Sequence, residues 1–251
     1  AQRIIKFRFL FIRANSMILP QMKLKIGKEE LIAGLQSVQN VVSTRTTLPI
    51  LSNVLLSAEG NKISLTATDL DVTISNSKEA NVEAPGSFTL PVKKLVSIAR
   101  EIGGGEIELE VNGNQCTIQS GASFYRMNGL PAEEFPPLPD FAGQTKLKLD
   151  QAKLKAMLKR TAYAVSTDEN RYVLNGLYFI FKENKLTLVA TDGRRLALAE
   201  EDIELPEEAQ SEAIVPTKAI QELARLLGDE GEAELQQTEN QVSFSIKDEK
   251  G

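Results

Sequence analysis

Apolar and polar positions along the chain form a short alternating run, a helical stripe and several further alternating runs, and the series occurs twice. Lys23 to Ile26 and Lys146 to Leu149 alternate as strands with one buried face do. Leu31, Leu35 and Val38 then recur at i, i+4 and i+7, and Leu154, Leu158 and Thr161 repeat the spacing, so each copy is predicted to continue into an amphipathic helix. Two strands joined by a turn follow, at 50–57 and 62–68 and again at 173–181 and 185–191, with Gly60-Asn61 and Glu183-Asn184 at the turns. After a further strand segment comes a second helix, at about 92–101 and 217–227, and then a closing pair of strands. Pro91 and Pro216 are expected in the first helical turn, where a missing N–H is harmless. Gly103-Gly104-Gly105 and Gly228 are expected to end these helices. The unit is therefore α+β, two helices packed on antiparallel sheet.

The two copies align without a gap over their first fifty residues. Laying 22–71 on 145–194 pairs MKLKI with TKLKL, VVST with AVST and GNKISLTATD with ENKLTLVATD, with about 16 of 50 positions identical. After a small shift LPVKKLVSIAREI (90–102) meets VPTKAIQELARLL (215–227), and GNQCTIQS (113–120) meets ENQVSFSI (239–246). The proline-rich stretch Pro131 to Pro139 reads as an ordered linker between copies. Judged by the repeat, the second copy stops about 17 residues before its unit would be complete. The expected domains are thus 22–140 and 141–251, the second truncated.

Composition changes this picture in a few places. A length of 251 residues suits two ordinary domains, and 42% hydrophobic with 25% charged residues is the balance of a globular chain. Histidine is absent, which removes the commonest general base and zinc ligand and argues against an enzyme. The single cysteine, Cys116, excludes an intrachain disulfide framework and is expected in the core of a strand. Residues 1–21 carry Arg3, Lys6, Arg8 and Arg13 without an acid, and arginines interrupt their apolar run. That pattern fits neither a signal peptide nor a spanning helix, and the segment is read as an extension upstream of a start at Met22, with an anchor or targeting segment as the alternative, and is set outside the fold.

The net charge of −5 is unevenly spread. Basic residues gather on predicted helices: Lys153, Lys155, Lys159 and Arg160, then Lys93, Lys94 and Arg100, then Lys218 and Arg225. Acids concentrate at 133–134, 200–208 and 229–234. Such faces are often just solvated, but their recurrence on three of four helices suits a polyanionic ligand held without base reading.

LPIL (48–51), TATDLD (66–71), LPVKKL (90–95), LPAEEFPPL (130–138), RYVLNGL (171–177), VATDGRRLA (189–197) and IVPTKAI (214–220) resemble, in order, the bacterial sliding clamp, the beta subunit of DNA polymerase III. The resemblance runs from Met22 to the end of the chain. It implies tandem DNA-clamp domains of which the first and most of the second are present and the third absent. It implies a non-catalytic processivity factor: a head-to-tail homodimer ring around double-stranded DNA, helices lining the hole, cytoplasmic, needing no cofactor or metal. The partners implied are the polymerase III catalytic subunit and the clamp loader, bound through short peptide motifs. By the same resemblance Arg45, Lys93, Lys94, Arg100, Tyr172 and Lys218 match DNA-contacting positions. Leu174, Thr191, Gly193, Arg194, Arg195 and Leu196 match the second-domain wall of the partner-peptide pocket. At three of these places the copies disagree: Arg45 faces Asp168, Leu70 faces Gly193 and Asp71 faces Arg194.

Two other classes remain open on residues alone. Asp69 and Asp71, two apart, are the kind of pair that holds Mg²⁺ in a metal-dependent nuclease, although only Asp192 recurs in the second copy. A repeat scaffold that binds only proteins is the other.

Overall fold

The computed structural model describes residues 21–42, 48–168, 170–206, 209–238 and 240–247, and for Tyr172 the backbone alone. In the first unit β1 (Met22–Gly27) leads into α1 (Lys28–Val38), whose Leu31, Leu35 and Val38 are fully buried as the spacing requires. A 3-10 turn (Pro49–Ser52) then precedes β2 (Asn53–Glu59), so the expected strand at 50–57 starts late. Pro49 sets this turn and Ile50 and Leu51 are buried by it. The unit continues with β3 (Lys62–Thr68), β4 (Thr73–Glu79), β5 (Asn81–Ala84), β6 (Gly86–Pro91) and α2 (Val92–Glu101). It closes with β7 (Glu106–Asn112), β8 (Gln115–Ser120), β9 (Ser123–Asn128) and β10 (Leu130–Pro131). The second unit runs β11 (Leu147–Asp150), α3 (Gln151–Thr161), β12 (Gly176–Lys182), β13 (Lys185–Thr191) and β14 (Leu196–Asp202). It ends with β15 (Ser211–Pro216), α4 (Thr217–Leu226), β16 (Glu232–Gln237) and β17 (Val242–Ile246).

Each unit has two antiparallel sheets rather than one. In the first they are ordered β5-β1-β7-β8-β9 and β10-β6-β2-β3-β4, in the second β11-β16-β17 and β14-β13-β12-β15. One apolar core fills each unit between its sheets and helices, and Cys116 is buried in the first with its thiol pushed up to about 12 by burial. The α+β class holds, with the sheet doubled.

Two local expectations need adjusting. Pro91 and Pro216 sit one residue earlier than expected, at the N-caps of α2 and α4. These helices end not through the glycines but at Ile102 and Leu227, which turn to extended backbone and bury their side chains. Burial of an apolar residue outweighs one more helical turn there, and the glycines follow in the loop. The linker is ordered as expected: β10 pairs with β6, and Phe135 packs with Ile50 and Leu51.

The units differ at β5. Ala80 N–H donates to Asn61 O and starts β5, and Ile203 N–H donates to Asn184 O in the same way. Pro206 then stands where the first unit has Glu83 and offers no N–H, and among the described residues no strand pairs there with β11. A cleft of about 430 Å³ remains beside β11, with Leu147, Met157 and Ile203 in its lining.

Candidate interface for DNA and partner peptides

The turn between β13 and β14 is built from its own side chains. Asp192 Oδ1 accepts the N–H groups of Arg194 (2.9 Å) and Arg195 (3.0 Å), and Thr191 Oγ1 accepts the N–H of Gly193 and donates to the Arg195 carbonyl at 2.7 Å. This geometry needs a left-handed residue at the tip, and Gly193 supplies it with φ +85°. The two N–H donors, Arg194 first, hold the Asp192 carboxyl below its usual range, and the Arg195 guanidinium adds to the effect.

The equivalent turn of the first unit is folded the same way. Asp69 Oδ1 accepts from Asp71 N–H (3.1 Å) and Val72 N–H (2.8 Å), and Thr68 Oγ1 accepts from Leu70 N–H. Leu70 occupies the left-handed position at φ +83° despite its side chain. The copies part company at the second carboxylate oxygen. Asp192 Oδ2 takes Arg195 Nε of its own turn at 3.0 Å, whereas Asp69 Oδ2 pairs with Lys218 of the other unit.

Around the second turn lies an apolar surface. Leu196 and Leu198 are 64% and 55% exposed on β14, an edge strand, where the first unit has Thr73 and Ser75 hydrogen-bonded to Thr68 and Thr66. Arg195 lies over the ring of Tyr163, 5.4 Å from its centroid, and Nη2 donates to the Tyr163 carbonyl at 2.7 Å. Arg171 reaches towards Gly193: a Cβ added there would lie 3.5 Å from its Nη1. Leu174, half-buried, donates its N–H to the Arg171 carbonyl and accepts the Ser166 N–H. Of the six expected pocket residues, Thr191, Gly193, Arg194, Arg195 and Leu196 therefore form one continuous turn and strand start, with Leu174 on the neighbouring segment. Tyr163, Arg171 and Leu198 join this surface and were not singled out from sequence. The signal for Tyr163 and Leu198 was present, since the first copy has Asn40 and Ser75 in their places.

The expected DNA residues separate into groups. Lys93, Lys94 and Arg100 are exposed on α2 and have no ion pair among the described residues. Lys159 on α3 is also exposed and unpaired among them, while Lys153 and Lys155 are held by Glu201 (2.5 Å) and Asp229 (2.8 Å). Arg45 lies outside the described residues, and Tyr172 begins a 3-10 turn of which Val173 is exposed. Lys218 differs from the expectation of a free pore cation. Its ammonium bridges the Asp69 carboxylate and the Val41 carbonyl (2.9 Å) of the first unit. With one oxygen of Asp69 on backbone N–H groups and the other on Lys218, the alternative of Asp69 and Asp71 as magnesium ligands loses its geometry. Among the described residues, no helix is long and apolar enough to cross a membrane.

Two units of one fold, with free cations on a helix of the first and an arginine-flanked apolar turn on the second, define a tandem-domain binding protein. The first unit matches the family described as DNA polymerase III beta subunit, N-terminal domain, over residues 22–139, and the second its central domain over 148–250. The chain belongs to the DNA polymerase III beta subunit family. It is 41% identical over 235 residues to the beta sliding clamp of Caulobacter vibrioides, covering 90% of this chain and 63% of the relative. A crystal structure of the Bacillus subtilis DNA polymerase sliding clamp superposes with a TM-score of 0.87 at 32% identity, over 90% of this chain and 62% of that one. The Pseudomonas aeruginosa clamp bound to griselimycin gives 0.83 at 35%, with the same coverage. The chain thus spans about three-fifths of the length of these relatives.

Proposed function

We propose that the chain supplies the first two domains, 22–140 and 141–251, of a non-catalytic processivity factor that surrounds duplex DNA without reading its sequence. The observation that carries this reading is the ordered match of both units to the beta subunit family. The free cations of α2 agree with it. Lysines on solvated helix faces attract phosphates through a screened field without fixing any one of them, which is what sliding requires. Arg45 and Tyr172 belong to this DNA surface on the family resemblance, and Lys218 contributes to it only with its charge shared by Asp69.

Assembly into a head-to-tail ring is supported by β9, an edge strand with Phe124 and Tyr125 exposed, a surface that attracts a neighbouring chain when left bare. The turn at Thr191–Leu196, with Leu174, Arg171, Tyr163 and Leu198 around it, is the surface for short peptides of the polymerase catalytic subunit and clamp loader. Its leucines offer an apolar floor, and its arginines favour an acidic flank. The setting is cytoplasmic.

A chimera carrying the last third of the Caulobacter vibrioides clamp tests the reading. Loaded onto nicked circular DNA by that organism's loader, it should stay bound and should be lost when the circle is cut. Retention on the linear product, or no loading while the parent clamp loads, would count against encirclement.

A further inference from the structure

The contact between the units is made by a helix that caps a helix. α1 has no basic residue in its last turn, unlike α2 with Arg100 or α3 with Lys159 and Arg160. The last carbonyls of a helix lack intrahelical partners and form the negative end of its dipole. At α1 the cation comes from the other unit. Arg225 of α4 donates through Nη2 to the Ser37 carbonyl at 2.7 Å, and Glu222 on the same helix holds the guanidinium at 2.7 Å. Near the other end of α4 Lys218 donates to the Val41 carbonyl, in the segment that follows α1, and pairs with Asp69. On the same helix Ala219 and Leu226 pack on the core of the first unit.

The repeat supplies an internal control. Lys218 and Arg225 align with Lys93 and Arg100 of α2, the same residue types seven apart, which have no ion pair among the described residues. Sequence alone therefore assigns the two pairs one role, and the structure gives them two.

We propose that Lys218 and Arg225 are positioning residues that lock the angle between the two units, Arg225 by capping α1 in trans and Lys218 by holding the Val41 carbonyl just beyond that helix, and that Asp69 is the anchor of the lock. The Lys218 side chain is 41% exposed but Asp69 only 15%, so the pair closes on the first unit's side of the junction. Two attachments, at opposite ends of α4, oppose rotation about either one. The Thr68–Val72 turn, peptide-site counterpart in the first unit, has become the receptor for a domain contact.

Spin labels on cysteines replacing Glu59 and Lys182, exposed positions in different units, report the inter-unit distance in the full chain. The parent should give one narrow distribution. Lys218→Met and Asp69→Asn should each broaden it, the double variant no further than the broader single, and Lys218→Arg should restore it. Asp69→Asn keeps the oxygen that accepts the turn N–H groups, so the first unit stays folded, which its circular dichroism verifies. Lys93→Met, the repeat-matched control, should leave the distribution unchanged. Unchanged distributions in both Lys218→Met and Asp69→Asn would overturn the proposal. So would opposite changes in DNA affinity, a loss in Lys218→Met and a gain in Asp69→Asn, with the inter-unit distance intact, because that pattern belongs to simple charge.

Discussion

At the scale of single residues, the two turns show how one backbone serves two purposes. Thr-Asp followed by a left-handed residue is fixed in both copies by the same hydrogen bonds. Leu70 pays no visible return for its conformation, being 59% exposed with φ +83°. Replacing it with glycine should raise stability by about 1 kcal/mol, measured by urea denaturation, since the left-handed region penalises a Cβ. A loss of stability would show that the leucine side chain makes a contact worth more than the strain. The second turn has a pH signature. Asp192 is depressed below its ordinary value near 3.8, so its contribution is complete above that value and disappears as pH falls through the lower folded one. Asp192→Asn should remove this component from the acid limb of the stability profile. The turn chemistry was legible in the residues TDG and TDL; which partner each carboxylate takes was not, because that depends on a residue 149 positions away in one case.

Among elements, the helix faces and most strand ranges could be read from period alone, because burial on one side imposes the pattern. Element ends were less legible. They depend on local competition, such as Ile102 and Leu227 leaving their helices to enter the cores. Helix starts also differ between the copies. Asp150 caps α3 by accepting the Lys153 N–H at 2.8 Å, while Gly27 holds the same place before α1 without a side-chain bond. Asp150→Ala should therefore destabilise the chain by about 1 kcal/mol, and Asp150→Gly by only a few tenths. Equal losses in the two, by thermal denaturation, would mean that the lost cap hydrogen bond accounts for the whole effect and that a Cβ without an acceptor adds nothing.

For the whole molecule, the question is how a chain of net charge −5 would hold the polyanion proposed for it. The answer depends on where cations are left unpaired, and only part of that is legible in sequence. Composition and helical spacing place basic residues on helix faces, but which of them acids neutralise follows from packing between elements and units. Lys153, Lys155, Lys218 and Arg225 all meet carboxylates, whereas Lys93, Lys94 and Arg100 have no such partner among the described residues. DNA attraction should thus be concentrated on α2, together with Lys159 of α3. Binding to short duplexes, followed by fluorescence anisotropy at several salt concentrations, should be independent of sequence and weaken steeply with salt. Each α2 cation replaced by methionine should flatten the slope of log affinity against log salt by roughly 0.9 if it neutralises one phosphate. Lys153→Met and Lys155→Met should flatten it less, because their charges are already balanced. Equal flattening from all these lysines would mean that the surface ion pairs open in the presence of DNA, and the field would then be set by the number of lysines instead of by their pairing.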